Sequence, residues 1–218
     1  MKRIAELFIV TSLQIIIWFQ YINLELESWH GIWETGNYTW IDVIHHLMRL
    51  SIPNAIMWIA GFYNLFHVLL NILAEVLRFG DRKFYLDWWN CRNLEEYWKT
   101  WNLPVHFWFI RHTYNPLLQR GFSKVSANII VFLISAVAHE YLVAVPLKII
   151  SYWAFLAMLT QAPAIIIQKK IDKMFKLSNS ELGNVSFWVF FCLIGQPVIV
   201  FIYYELYMKK MATEQLGL

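Results

Sequence analysis

Charged residues are scarce in this chain. Asp, Glu, Lys and Arg make up 15 % of its 218 residues, whereas soluble domains usually carry about a quarter. Hydrophobic residues make up 59 % and the mean hydropathy is positive, at +0.45. These values are not those of a soluble globular domain, and they predict an all-α, polytopic helical membrane protein. The net charge is only +3, so no nucleic acid is expected as a partner.

Cysteine is nearly absent as well, with Cys91 and Cys192 as the two examples. Two such cysteines predict plain thiols, not a disulfide framework or a metal cluster. The sequence also has no glycine-rich phosphate loop and no Gly-x-Ser-x-Gly nucleophile elbow. P-loop nucleotide chemistry and serine-hydrolase chemistry are therefore not indicated. We expect neither a metal nor a resident cofactor.

Long apolar runs are the dominant positive feature. Crossing a bilayer takes about 20 apolar residues in a helix, and five segments are long enough. We interpret residues 1–218 as a single membrane domain containing these spans. The five predicted spans are Ile4–Leu24, Ile52–Leu77, Val125–Leu147, Ile149–Gln168 and Val185–Met208.

Loop charge predicts the orientation. Residues 25–51 are predicted to form an acidic loop, whereas the loop 78–124 is basic, and basic loops favour the cytosolic side. The next loop on that side contains Lys169, Lys170, Lys173 and Lys176. Because the 78–124 loop is rich in Trp and Tyr, we expect it to lie in the membrane interface as amphipathic helices. Pro104 predicts a helix restart there, with Asn102 near the new N-terminus.

His139 and Glu140 are the most informative residues, because they interrupt an apolar run. An ionisable group at the centre of a spanning helix costs roughly 2.5 to 3.5 kcal/mol and is usually functional. Ser135 precedes His139 by four residues and shares its helical face. Glu140 is turned away by about 100°, so we expect it to meet a polar group on a neighbouring helix. The alternative is a structural histidine, hydrogen-bonded between helices.

Other polar residues lie at membrane depth. Gln161 and Gln196 could line a polar cavity with the His-Glu pair, or they could simply form hydrogen bonds between helices, which is the preferred interpretation for each taken singly. A further polar stripe on the second span recurs at helical spacing and is expected to face protein or water. It consists of Asn64, His67, Asn71 and Glu75.

The aromatic loop offers a second candidate site. Trp98, Trp101 and Asn102 are predicted to share one helical face, with His106 four residues beyond Asn102. These rings could hold an adenine, and nearby cations could hold phosphates. The alternative is an aromatic belt with snorkelling cations, and for Asn90 a turn or cap role is equally compatible with the spacing. The candidate phosphate partners are Arg111, Arg120 and Lys124.

Two motifs resemble a known family. Residues 84–90, Phe-Tyr-Leu-Asp-Trp-Trp-Asn, resemble the FYxDWWN signature of membrane-bound O-acyltransferases that esterify diacylglycerol or sterols. His139-Glu140-Tyr141 resembles the segment that carries the family's catalytic histidine. The resemblance spans nearly the whole chain and corresponds to the C-terminal half of the family's fold, without its N-terminal helices. It therefore implies a partial fold of that family with about five transmembrane helices.

The resemblance also implies an activity. The diacylglycerol branch fits best, on Arg111-His112-x-Tyr114-x-Pro116 and Gly195-Gln196-Pro197. It implies esterification of diacylglycerol to triacylglycerol with acyl-CoA as co-substrate, and His139 as general base, in a multi-pass protein of the endoplasmic reticulum membrane. The implied partners are acyl-CoA, diacylglycerol or another lipid alcohol, and the bilayer, with a homo-oligomer left open. The alternatives are a sterol or long-chain alcohol acyltransferase, or a truncated, inactive acyltransferase-like protein.

Site residues carry over by the same resemblance. Asn128 stands where the family has a basic acyl-CoA contact. Residues matching the acyl-CoA site are Trp98, Trp101, Asn102, His106, Tyr114, Ser135 and Gln196, and those in supporting positions are Glu140, Gln161 and Asn90.

Overall fold

The computed structural model describes residues 2–175 and 181–215, and its regular structure there is entirely helical. The all-α prediction is confirmed. The chain divides into two compact units, one comprising Met1–Phe84 with Trp188–Leu218 and the other Tyr85–Phe187. We call them unit 1 and unit 2. The assignment of a single membrane domain stays a prediction.

The helices are numbered in chain order, and continuous helical stretches share one number. Helices α1, α2, α4 and α8 each contain a π-helical turn, at Trp18–Ile22, Tyr63–Leu69, Ile110–Tyr114 and Phe191–Gly195 respectively. The helix bounds are α1 Lys2–Thr35, α2 Trp40–Val76, α3 Leu94–Thr100, α4 residues 103–119, α5 Lys124–Leu147, α6 Trp153–Leu159, α7 Gln161–Phe175 and α8 Glu181–Gln215.

Among the described residues, four helices are long and apolar enough to cross a membrane: α1, α2, α5 and α8. They correspond to four of the five predicted spans. The prediction of a fifth span over Ile149–Gln168 is wrong, because this stretch is divided at Thr160 into the short α6 and the start of α7. Pro163 gives a physical reason for the division. It cannot donate a backbone hydrogen bond, and a helix accepts it best in the first turn.

The predicted acidic loop 25–51 is also wrong. Helix α1 continues to Thr35, and α2 already begins at Trp40 after a short connection. Gly36 ends α1 in the left-handed conformation with φ 64°, and Thr39 and Asp42 form a capping box that starts α2. The connection is therefore a tight helix–helix turn.

Glu25 explains how α1 stays helical beyond its apolar stretch. Its side chain is buried and lies 2.6 Å from His46 Nδ1 and 3.0 Å from Arg49 Nε. A buried charge is tolerated when it is paired and hydrogen-bonded. Beside it, apolar side chains form the core of unit 1: Ile17, Ile22, Leu26, Trp29, Leu50 and Phe201.

The polar stripe of α2 was predicted to face protein or water, and its Asn64, His67 and Asn71 meet protein groups, whereas Glu75 is exposed and pairs with Arg82. Asn64 Nδ2 donates to Gln14 Oε1 at 2.7 Å, and His67 Nε2 lies 2.8 Å from Arg3 Nη1. Asn71 donates to the carbonyl oxygen of His67 within its own helix. Asn64 and His67 therefore join α2 to α1 through hydrogen bonds, within helices where few other polar partners exist.

In unit 2 the aromatic loop is helical, as predicted. Asn102 accepts a hydrogen bond from the backbone N–H of Val105 at 3.2 Å, and Pro104 lies in the first turn of α4. The predicted face shared by Trp98, Trp101 and Asn102 is wrong. Helix α3 ends at Thr100, and Asn102 starts a new helix because its side chain caps the free N–H groups of α4.

The basic segment after the fourth predicted span is helical over most of its length. Lys169, Lys170 and Lys173 belong to α7, whereas Lys176 lies outside the described residues. The cytosolic orientation inferred from these charges stays a prediction.

Candidate functional site

His139 lies in α5, on the face that it shares with Ser135. Its ring nitrogen Nδ1 is 2.7 Å from the carbonyl oxygen of Ser135 and 3.4 Å from the Ser135 hydroxyl oxygen. A backbone carbonyl can only accept a hydrogen bond. In this geometry Nδ1 must therefore carry the proton that it donates to the helix backbone.

That hydrogen bond selects the tautomer of His139. A neutral imidazole has one protonated and one unprotonated nitrogen, and with Nδ1 protonated the lone pair lies on Nε2. Nε2 is thus the nitrogen that can accept a proton from another molecule. The side chain is half-buried.

Glu140 points to a different neighbour. Its carboxylate accepts hydrogen bonds from the backbone N–H groups of Ser151 and Tyr152, each at 3.0 Å, and of Phe155 at 3.1 Å. The residue is only 7 % exposed. A carboxylate at a helix N-terminus satisfies free N–H groups and meets the positive end of the helix dipole. Glu140 therefore joins α5 to the start of α6 and does not orient the His139 ring.

Trp98 lies beside His139. The two ring centroids are 6.3 Å apart and the ring planes are nearly perpendicular, at 89°. The indole nitrogen Nε1 of Trp98 is buried and has no hydrogen-bond partner within the described residues. An unpaired buried donor costs roughly 1–3 kcal/mol, which a ligand carbonyl or a water molecule would recover.

Two further polar atoms of unit 2 share this property. Gln161 Oε1, on the first residue of α7, and Ser151 Oγ, beside the Glu140 carboxylate, are buried without a hydrogen-bond partner in the described part of the chain. Helix α7 packs against α5 and α6. Unit 2 thus contains several unsatisfied polar atoms on the elements that pack around the His139 helix.

The remaining sequence-predicted residues of unit 2 are spread over its other elements. Trp101 stacks on Tyr97, with centroids 5.7 Å apart. Tyr114 lies in the π-helical turn of α4, which packs against α5. Lys124 and Asn128, on the first turns of α5, and Asn90, in the 3-10 turn at Trp88–Asn90, are exposed. Within the described residues none of them contacts His139, so their predicted roles in acyl-CoA binding or support of the site stay predictions.

His106 lies near a cation. Burial, followed by the positive charge of Lys99, lowers the pKa of the His106 imidazole below its ordinary value. The ring is therefore neutral at pH 7, and it can donate or accept a hydrogen bond without carrying charge.

Gln196 belongs to unit 1. Its side-chain oxygen accepts a hydrogen bond from Asn54 Nδ2 at 3.3 Å. This is the hydrogen bond between helices, here α8 and α2, that the sequence favoured for this glutamine taken singly. Its predicted contact with a thioester stays a prediction.

Asn184 is a residue that the sequence did not single out. Its side-chain nitrogen donates to the carbonyl oxygens of Trp89 at 2.9 Å and Cys91 at 2.7 Å. It thereby holds the end of the aromatic motif 84–90 to the first turns of α8. An asparagine near a helix start carries no sequence signal for such a distant backbone contact.

Comparison with known proteins decides the family. The model of the membrane-bound O-acyltransferase family matches residues 9–204. The chain belongs to this family. It is 44 % identical over 215 residues to diacylglycerol O-acyltransferase 1 of Corylus americana, covering 98 % of this chain and 39 % of that protein.

Plant and animal relatives agree. The chain is 42 % identical over 210 residues to diacylglycerol O-acyltransferase 1 of Arabidopsis thaliana, covering 96 % of this chain and 39 % of the relative. For the Bos taurus protein of the same name the identity is 39 % over 203 residues, covering 93 % of the chain and 40 % of the relative. The chain thus spans about two-fifths of the length of the curated relatives it matches.

Proposed function

We propose that the chain carries the acyl-transfer site of an enzyme that esterifies diacylglycerol with acyl-CoA in the endoplasmic reticulum membrane, giving triacylglycerol and CoA. Three observations support the acyl-transfer class: the family match, the membrane-spanning helices and the orientation of His139. The choice of diacylglycerol rests on the names of the relatives. The observation that carries the mechanism is the Nδ1 hydrogen bond of His139, because it leaves Nε2 free to act as a base.

In this mechanism Nε2 of His139 takes the proton of the diacylglycerol hydroxyl as its oxygen attacks the thioester carbonyl carbon. The tetrahedral intermediate collapses, the carbon–sulfur bond breaks, and the leaving CoA sulfur takes the proton back from the imidazolium. One ester bond forms, one thioester bond is lost, and no net proton is consumed. A site among apolar helices also limits competition from water as acyl acceptor.

The carbonyl oxygen gains negative charge in this step and needs a hydrogen-bond donor. Trp98 supplies a candidate, since its buried N–H is unpaired within the described residues and its ring contacts His139. Asn102 remains a second candidate, although its side-chain oxygen is used to cap α4.

A covalent cysteine intermediate is disfavoured in unit 2. Burial, with a smaller contribution from the Glu96 charge, raises the pKa of the Cys91 thiol to about 12. The thiolate is the reactive form of cysteine, and at that pKa it is essentially unpopulated at neutral pH. Direct transfer between the two bound substrates requires no such intermediate.

The acceptor is tested with the purified full chain in lipid vesicles, labelled acyl-CoA and a panel of acceptors. The panel contains diacylglycerol, a sterol, a long-chain alcohol and a reaction without acceptor. The proposal expects labelled triacylglycerol. Sterol ester or wax ester without triacylglycerol would instead support a sterol or long-chain alcohol acyltransferase. Acyl-CoA binding without transfer to any acceptor would support a non-catalytic role.

Replacing Trp98 with Phe should lower kcat by about a hundredfold, the typical cost of losing one oxyanion donor. KM for acyl-CoA should change little, because Phe preserves the ring contact with His139 while removing only the N–H. Steady-state kinetics with varied acyl-CoA measures this split. Trp108→Phe, at an exposed tryptophan of α4, is the matched control, and an equal loss in both variants would remove Trp98 from the site.

A further inference from the structure

Unit 1 contains a cleft outside the proposed catalytic site. It lies between the C-terminal end of α1 and the C-terminal part of α8, has a volume of about 390 Å³ and is lined by polar and apolar residues of both helices. Volumes of about 300–1,000 Å³ are typical of small-molecule sites. Nothing in the acyl-transfer mechanism uses it.

Glu205 is the central residue of this cleft. Its side chain is only 10 % exposed, and its oxygen Oε2 lies 2.9 Å from His30 Nδ1. The second carboxylate oxygen, Oε1, is buried and has no hydrogen-bond partner within the described residues. Leaving an acceptor of a charged group unsatisfied is more costly than leaving a neutral one. The cleft therefore lacks a donor at this position.

The charges around Glu205 define the missing donor further. Glu34 also lines the cleft, with Oε1 3.3 Å from His30 Nε2, so two carboxylates flank one imidazole. A cationic group with several N–H donors would satisfy both carboxylates. An anion alone would be repelled by them.

The cleft also contains one cation and an aromatic ring. Lys209 lines it and makes no ion pair within the described residues, and Trp33 contributes its indole. Lysine is a good partner for phosphate. The cleft thus has Lys209 to bind an anionic group and the carboxylates of Glu34 and Glu205 to bind a cationic group. This arrangement complements a zwitterionic ligand.

The depth of the cleft points to a lipid headgroup. The apolar run of α1 ends at Leu24, before His30 and Glu34, and the predicted span in α8 ends at Met208, next to Lys209. The cleft therefore lies where both apolar runs end. The headgroup layer of a bilayer begins where its roughly 30 Å hydrocarbon core ends. Met208, Met211 and Ala212 supply apolar lining beside the charged groups, as a bound lipid requires.

We propose that this cleft binds the phosphoethanolamine headgroup of a bilayer phospholipid. The primary ammonium donates to Glu205 Oε1 and to Glu34, and the phosphate pairs with Lys209. A phosphocholine headgroup fits less well, because its quaternary ammonium has no N–H and leaves Glu205 Oε1 without a donor. The proposal is independent of the reaction at His139.

Native mass spectrometry of the purified full chain in detergent tests this, with phosphatidylethanolamine, phosphatidylcholine and water-soluble O-phosphoethanolamine titrated separately. We expect one phosphatidylethanolamine to bind at least tenfold more tightly than phosphatidylcholine, a factor that corresponds to about 1.4 kcal/mol. Equal affinity for the two lipids would overturn the proposal. Tight binding of O-phosphoethanolamine without binding of the lipid would overturn the lipid assignment.

Variants locate the site. Glu205→Gln should weaken phosphatidylethanolamine binding at least tenfold, whereas Glu214→Gln, an exposed position on the same helix, should not change it. If Glu205→Gln does not fold, Lys209→Gln decides, with Lys210→Gln as its control, because Lys209 lines the cleft from an exposed position. If both Glu205→Gln and Lys209→Gln fold and bind phosphatidylethanolamine as tightly as the parent, the proposed site is contradicted. If only one of them folds, unchanged affinity in that variant contradicts it.

Discussion

His139→Gln should reduce acyl transfer by about 10²- to 10⁴-fold, the usual contribution of general-base catalysis. Glutamine approximates the size of histidine, and its amide nitrogen can still donate to the Ser135 carbonyl, but an amide cannot accept a proton at neutral pH. The loss should appear in kcat, with acyl-CoA binding largely preserved. Turnover and equilibrium acyl-CoA binding, measured on the same preparation, check both expectations.

The matched control is His45→Gln. His45 lies in α2 on the exposed surface of unit 1, so its replacement should leave turnover within about twofold of the parent, as surface substitutions rarely matter. If His139→Gln and His45→Gln retain the same turnover, His139 is a structural histidine, as the alternative interpretation holds.

Glu140→Ala should destabilise unit 2 and also lower turnover. The substitution removes an acceptor used by the backbone N–H groups of Ser151, Tyr152 and Phe155. Leaving a buried N–H group unpaired costs about 1–3 kcal/mol. Tyr152 is an exposed residue, so water can replace part of the lost acceptor, and we expect a total of about 2–4 kcal/mol. For a chain of this size that lowers Tm by roughly 4–16 °C, measurable by thermal unfolding in detergent.

Glu140→Gln separates charge from hydrogen bonding at the same position. The amide oxygen still accepts hydrogen bonds but loses the charge that favours the N-terminus of α6, so its Tm should fall between those of the parent and Glu140→Ala. Glu214→Gln, at an exposed carboxylate paired only with Lys210 among the described residues, should shift Tm by less than about 2 °C. A Glu140→Ala variant with the parent's Tm would show that the connection to α6 carries little stability.

The helical class and four spans could be predicted from the sequence because apolar length alone defines a spanning helix. The extent of α1 and α2 could not. Glu25 and His46 look like loop residues by polarity, yet they pair across the two helices and are buried. Such pairing depends on tertiary contacts that hydropathy does not register.

The candidate site shows the same division. The i, i+4 spacing places His139 beside Ser135, and the 100° rotation separates Glu140 from the ring, both as the sequence indicates. The contact of Trp98 with His139 joins residues from distant helices, and no local pattern predicts it. Asn184 was missed for the same reason, since its partners are the backbone carbonyl oxygens of Trp89 and Cys91, far away in the sequence.

We propose above all that the chain transfers an acyl group directly from acyl-CoA to diacylglycerol through His139. It is tested most directly by measuring CoA release and triacylglycerol formation together, using the purified chain in bilayers that contain diacylglycerol. We expect equal rates for the two products in the parent chain and the loss of both in His139→Gln. CoA release without triacylglycerol, or equal product formation by the parent and His139→Gln, would contradict it.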